Sequence, residues 1–179
     1  MASRQDAVHE PQATADTGDI IVVCGLPGVG KSTVARAIAE AVDGEVLRTD
    51  VIRQEIVDNP VYTAEEKRRV YEALFERARD HLTDGRSVVL DGTYRRRTYR
   101  DRARELAADL DTGFELVAVQ CDEPVVERRI AEREDDASEA DIEVYRQYRD
   151  SFEPFVGDHL TIDNSGDLET TQRQVARLF

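Results

Sequence analysis

Apolar and polar positions along the chain alternate between two periods. Asp19 to Cys24 (DIIVVC) is an unbroken β-branched run, the pattern of a strand covered on both faces in a parallel sheet. A glycine-rich stretch follows, and then Thr33 to Val42 places Val34, Ile38 and Ala41 on one helical face. The alternation continues with a short strand at Glu45 to Arg48, a helix at Asp50 to Val57 and a long helix at Thr63 to Leu82. In the long helix Val70, Tyr71, Leu74, Phe75, Ala78 and Leu82 recur at helical spacing, and Thr63 with Glu66 reads as a capping box. Ser87 to Leu90 is the next strand, Thr98 to Leu110 a helix, Phe114 to Val119 a strand and Pro124 to Arg133 a helix with proline in its first turn. Ser138 to Phe152 forms a further helix, His159 to Ile162 a last strand and Leu168 to Leu178 a closing helix. Strands separated by helices predict an α/β fold with a parallel sheet. Residues 1–18 are polar and read as a flexible tail, leaving 19–179 as one domain, the usual size for a single core.

Composition narrows the function. The chain has 179 residues and a net charge of −14, from 38 acidic against 24 basic side chains. Such a field repels polyanions, so general nucleic-acid or anionic-membrane binding is not expected. No apolar run approaches the ~18 residues that cross a bilayer, and no signal-peptide pattern stands at the start, so a cytoplasmic chain is expected. The basic residues are 22 arginines and two lysines, Lys31 and Lys67. An acid-rich, lysine-poor surface resembles halophilic proteins, whereas GC-rich coding would explain the arginines without the acid excess. Cys24 and Cys121 lack the spacing of a disulfide framework or a zinc site and read as small core hydrophobes.

Gly25, Leu26, Pro27, Gly28, Val29, Gly30, Lys31 and Ser32 match G-x-x-x-x-G-K-[ST] between a buried strand and a helix. In such a P-loop (Walker A), backbone N–H groups converge on phosphate oxygens with the helix N-terminus behind them. The lysine reaches the β/γ-phosphates, and the hydroxyl at Ser32 reaches Mg²⁺. Thr33 completes the predicted nucleotide contacts. Asp91, at the end of the strand VVL, fits the Walker B position that holds Mg²⁺ directly or through water. Gly92 stands where motor ATPases carry a water-activating glutamate, and no D-x-x-G, N-K-x-D or LSGGQ appears at the positions a switch or transporter would need. A bound hydroxyl rather than water is therefore the expected phosphoryl acceptor. Asp50, at the carboxyl end of the second strand, can act on that hydroxyl, with Arg53 one helical turn on for an anionic group. A plain helix N-cap at Asp50 is the structural alternative. Arg95, Arg96, Arg97 and Arg100 either ring an anionic acceptor or neutralise surface acids; Arg97 is the substrate-binding candidate among them.

Beyond these residue-level readings, the chain resembles the small P-loop kinases of the AAA_33-like, zeta-toxin and polynucleotide-kinase-like group. The resemblance is carried by the P-loop, by D-x-x-R at Asp50 to Arg53, and by VVLDGTYRRRTYRDRARELA, VAVQCDEPVVERRIAER and SEADIEVYRQYRDSFEP in order. It implies a three-layer αβα sandwich with five parallel strands in the order 2-3-1-4-5. It also implies Asp50 as general base, Arg53 on substrate or phosphate, and a lid near 127–141 carrying Arg129 and Arg133. In that lid Arg133 would stabilise the transferred phosphoryl group and Arg129 would contact nucleotide, while a salt-bridged solvated helix is the alternative there. The expected activity is transfer of the γ-phosphate of ATP, with Mg²⁺, to a hydroxyl of a small molecule or nucleotide by a monomer. A polynucleotide 5′-hydroxyl kinase or a nucleotide-sugar kinase of zeta-toxin type are alternatives within the group, and a non-catalytic nucleotide-binding regulator or slow ATPase lies outside it.

Overall fold

The computed structural model describes residues 18–132 and 142–179. The predicted tail apart from Gly18, the 133–141 part of the predicted lid, and Arg133 lie outside the described residues.

The elements run β1 (Ile20–Cys24), α1 (Lys31–Val42), β2 (Glu45–Arg48), α2 (Thr49–Ile56), α3 (Ala64–Thr83), β3 (Val88–Asp91) and α4 (Arg97–Asp109). They continue with β4 (Phe114–Gln120), α5 (Glu123–Ala131), α6 (Ile142–Asp150), β5 (Leu160–Asp163) and α7 (Leu168–Leu178). All four strand pairings are parallel, and the sheet order is β2-β3-β1-β4-β5. Every predicted element has a counterpart among the described residues, with ends displaced by a few residues where caps decide them; residues 138–141 of the predicted 138–152 helix and Arg133 at the end of the predicted 124–133 helix lie outside the described residues. α1 starts at Lys31, two residues before the expected start, because Gly30 with φ 86° caps it, and the amide of Glu132 closes α5 on the Arg128 carbonyl.

The unbroken apolar strands follow from burial on both faces. Ile20, Val22 and Cys24 of β1, with Val88 and Leu90 of β3 and Leu116 and Ala118 of β4, pack under Leu74, Ala78 and Leu82 of α3 and Ala103 and Leu106 of α4. The alternate positions Ile21, Val23, Val89, Val117 and Val119 pack under Val34 and Ile38 of α1, Val126 of α5 and Val175 of α7. A side-chain period of two therefore sends each strand into both layers. Burial pushes the Cys24 thiol up to about 12, so it packs as an inert hydrophobe.

This topology delivers the chain's chemistry to one edge. The carboxyl ends of all five strands open on the same side, and β1 lies at the centre, where the strand order reverses. No helix among the described residues is long and apolar enough to cross a membrane.

Candidate functional site

The turn after β1 is shaped by what lies beneath it. Val29 is buried, and its carbonyl accepts a hydrogen bond from Asn164 Nδ2 at 2.8 Å. Asn164 Oδ1 accepts from Thr171 Oγ1 at 2.6 Å, so the turn after β5 clamps the glycine loop from below. A Cβ at Gly30 would collide with that Asn164 amide, and the positive φ there would strain any other residue. Because Gly30 caps α1, no side chain covers the first-turn amides of the helix. Pro27, Gly28, Gly30, Lys31, Ser32 and Thr33 line a cavity of about 1000 Å³ at the strand ends. Gly25, Leu26 and Val29 support the loop rather than lining that cavity. The Leu26 carbonyl accepts from Lys31 Nζ at 2.9 Å, which holds the ammonium over the loop.

Asp91 ends β3 on the α1 side of the sheet, where its Oδ2 accepts a hydrogen bond from Ser32 Oγ at 2.6 Å. It is 4% exposed. Burial pushes its carboxyl up, an effect that the Lys31 ammonium and the Ser32 hydroxyl only partly offset. A desolvated carboxylate touching a hydroxyl is a suitable pair of oxygen donors for a hard cation, and a cation there would reverse the cost of ionising Asp91. Among the described residues no group of three or more His, Cys, Asp or Glu could form an all-protein metal cage. A Mg²⁺ held by one hydroxyl and one carboxylate, completed by phosphate and water, matches that donor set.

Arg48 is the register partner of Asp91 across β2 and β3, so both side chains emerge on one face. Its Nη2 reaches Asp50 Oδ2 at 2.6 Å and its Nε reaches Asp50 Oδ1 at 3.1 Å, a bidentate fork, while Nε also lies 3.8 Å from Asp91 Oδ2. Asp50 is the second residue of α2 and not its cap, which is Arg48. The N-cap alternative for Asp50 is thus not what the structure shows. The fork instead fixes the carboxylate at the cavity wall.

The other predicted residues separate. Arg53 lines the cavity but is committed to Glu66, with Nε 2.7 Å from Oε1, and lies over the Tyr62 ring at 4.7 Å. Arg129 lines the cavity near Gly30 and donates weakly to Cys121 Sγ at 3.4 Å. Arg97 is not among the cavity-lining residues: it opens α4 on the outer surface, pairing with Asp101 at 3.0 Å, one turn on. Its neighbours Arg95 and Arg96 line the cavity in its place, because the chain turns into α4 only after them. Arg100 is buried, and its guanidinium donates to the carbonyls of Tyr94, Glu153 and Pro154, tying the loop after α6 to α4. It is a structural group and not part of an anion ring.

No role at the site was read along the chain for Arg48, Glu66, Lys67, Tyr148 or Asn164, all of which line the cavity or hold a residue that does. Glu66 does follow Thr63 as a capping box requires, and Thr63 Oγ1 accepts from the Glu66 amide at 3.1 Å. Its carboxylate, however, accepts from the amides of Val61 and Tyr62 at 2.8 and 2.9 Å and from Arg53. The only available signal was an acidic residue placed to meet the arginine of D-x-x-R.

Five parallel strands in this order, with the glycine loop after the central one, define a kinase-like P-loop NTPase fold. The chain belongs to the AAA_33 family, described as an AAA domain, whose profile matches residues 20–155. It is 33% identical over 137 residues to an uncharacterized protein of Mycobacterium tuberculosis, a match covering 70% of this chain and 28% of that protein. The chain thus spans little more than a quarter of that curated relative. A gluconokinase of Arabidopsis thaliana is 28% identical over 102 residues, 54% of each chain. Among solved structures, a gluconokinase from Sinorhizobium meliloti superposes with a TM-score of 0.68 at 25% identity, covering 91% of this chain and 94% of that one. The Mycobacterium tuberculosis APS kinase in complex with AMPPNP and APS superposes at 0.70 with 18% identity, covering 90% and 97%, a likeness of fold.

Proposed function

We propose that the chain is an ATP- and Mg²⁺-dependent phosphotransferase acting on a hydroxyl of a small molecule. The observation that carries this reading is the Ser32–Asp91 contact at the head of α1, facing the same cavity as an Asp50 carboxylate that Arg48 fixes in place. A nucleotide binder without transfer chemistry needs the first feature and has no use for the second.

In this reading the α1 amides and Lys31 take the phosphates, and Ser32 and Asp91 hold Mg²⁺, which supplies charge neutralisation at the phosphoryl oxygens when bound. Arg129 lies on the phosphate-loop side to contact nucleotide. Asp50 orients the acceptor hydroxyl and receives its proton as the new O–P bond forms and the bond to the β-phosphate oxygen breaks, releasing ADP. Arg48 positions Asp50. Arg53 holds the wall formed by Tyr62 and α3 through Glu66.

Transfer of label from γ-labelled ATP to a panel of hydroxyl compounds tests the reading. Asp50→Asn is expected to lower transfer by about 10²–10⁴-fold while ATP affinity is retained. Full transfer by the variant would remove the base assignment. Loss of ATP without any labelled product would make the chain an ATPase.

A further inference from the structure

The cavity has two sides about β1. Arg129, Asn164, Gly166 and Leu168 line it on the β4–β5 side, and Asp50, Arg53, Lys67 and Arg95 belong to elements on the β2–β3 side. On the second side Arg53 is neutralised by Glu66, and Arg96 by Glu153 at 2.8 Å. Lys67 of α3 and Arg95 of the β3–α4 loop differ. Both lie over the ring of Tyr148 on α6, with Lys67 Nζ 5.8 Å and Arg95 Cζ 4.5 Å from its centroid. Arg95 also donates to the Ser151 hydroxyl. Among the described residues neither cation has a carboxylate within ion-pair distance.

Acids outnumber bases 38 to 24, and more than half of the described arginines pair with a carboxylate, so two neighbouring cations without one leave positive charge in the cavity that no acid of the described residues offsets. Two like charges sharing one aromatic ring in a concave, partly desolvated site repel one another, and a bound anion relieves that repulsion. The site is also selective in residue type. The chain has only two lysines, and both line this cavity, Lys31 at the phosphate loop and Lys67 on the acceptor side.

We infer that Lys67, Arg95 and Tyr148 form the subsite for an anionic group of the acceptor, so that the substrate is a hydroxyl compound carrying its own carboxylate or phosphate. The anion binds between the ammonium and the guanidinium, and the hydroxyl to be phosphorylated faces Asp50. A neutral polyol would meet the same cations with ion–dipole contacts only and leave their repulsion in place. This inference rests on the phosphotransferase reading for its chemistry, but the anion subsite itself is separable from it.

The test compares D-glucose, D-gluconate and D-glucose 6-phosphate as acceptors for the full chain with ATP and Mg²⁺, reading phosphorylated product by mass. Transfer to gluconate or to glucose 6-phosphate but not to glucose is expected, and the two anionic arms separate carboxylate from phosphate recognition. Lys67→Met and Arg95→Met are each expected to raise KM for the anionic acceptor roughly 10- to 100-fold, the loss of one charge-assisted contact. Lys67→Arg restores most of it, which a merely structural role for the stem would not require. Preference for glucose, or an unchanged acceptor KM in both methionine variants, would overturn the inference. If no compound is phosphorylated, calorimetry of the same three compounds with the chain holding a non-hydrolysable ATP analogue decides separately. Binding of an anionic compound that is lost in Lys67→Met upholds the subsite while the phosphotransferase reading fails, and binding of none of them overturns the subsite too.

Discussion

Glu66→Gln is the substitution whose effect can be worked most fully from the structure. One carboxylate oxygen, Oε2, accepts the amides of Val61 and Tyr62, and the other accepts Arg53 Nε, within a pair whose side chains are 14% and 5% exposed. Burial by itself would push the Glu66 carboxyl up. The two amides and the guanidinium outweigh it and hold the group below its ordinary value of 4.5. Glutamine keeps the shape and can still present an oxygen to the two amides, but its NH₂ then opposes the Arg53 donor. The loss is one charge-assisted hydrogen bond plus part of the cost of a stranded buried charge, about 2–3 kcal/mol at pH 7. Alanine would orphan both amides as well and cost about 4–5 kcal/mol. The sign of the pH dependence follows from the lowered value. The carboxylate's contribution is complete above the unfolded-state pKa and is lost as pH falls through the lower folded-state one. Urea unfolding of both proteins over a pH series should therefore show a gap that is full at pH 7 and closes below the ordinary carboxylate range. A gap under about 0.5 kcal/mol, or one of equal size at pH 7 and in acid, would refute the role given to this carboxylate.

Two further outcomes are expected. Asp91→Asn removes a carboxyl that burial disfavours in its charged form, so metal-free protein should melt at a higher temperature than wild type, while transfer falls by at least about 10²-fold and needs more Mg²⁺; a fall in melting temperature would show that the ionised group is not a cost to the fold. Arg100→Met strands the carbonyls of Tyr94, Glu153 and Pro154 and should lower unfolding free energy by about 3–5 kcal/mol in urea titration, whereas a change under about 1 kcal/mol would mean that water replaces the guanidinium.

What could be read along the chain and what could not divide by a physical criterion. The glycine loop, the strand before it and the helix after it are fixed by neighbours in sequence, since backbone conformation and helix start are local properties. The meeting of Ser32 and Asp91 was also legible, because Ser32 opens the helix that follows β1, Asp91 ends β3, and these two strands pair in parallel with their carboxyl ends together. The arginines were not. Arg95, Arg96 and Arg97 are consecutive, yet the first faces Tyr148, the second Glu153 and the third Asp101, and only the place where the backbone enters α4 separates them. Arg53 and Arg100 illustrate the same dependence on distant groups: a carboxylate 13 residues away claims one, and three carbonyls, two of them more than 50 residues away, claim the other. In a protein with this many acids, an arginine's function is decided by whether a carboxylate can reach it. Reach is a tertiary property that composition hides. The reverse also holds: a cation with an aromatic ring beside it and no carboxylate of the described residues in reach, as Lys67 is inside the cavity, has been kept away from those acids by the fold, and in the reading proposed above the fold gains from that separation when an anion arrives from outside.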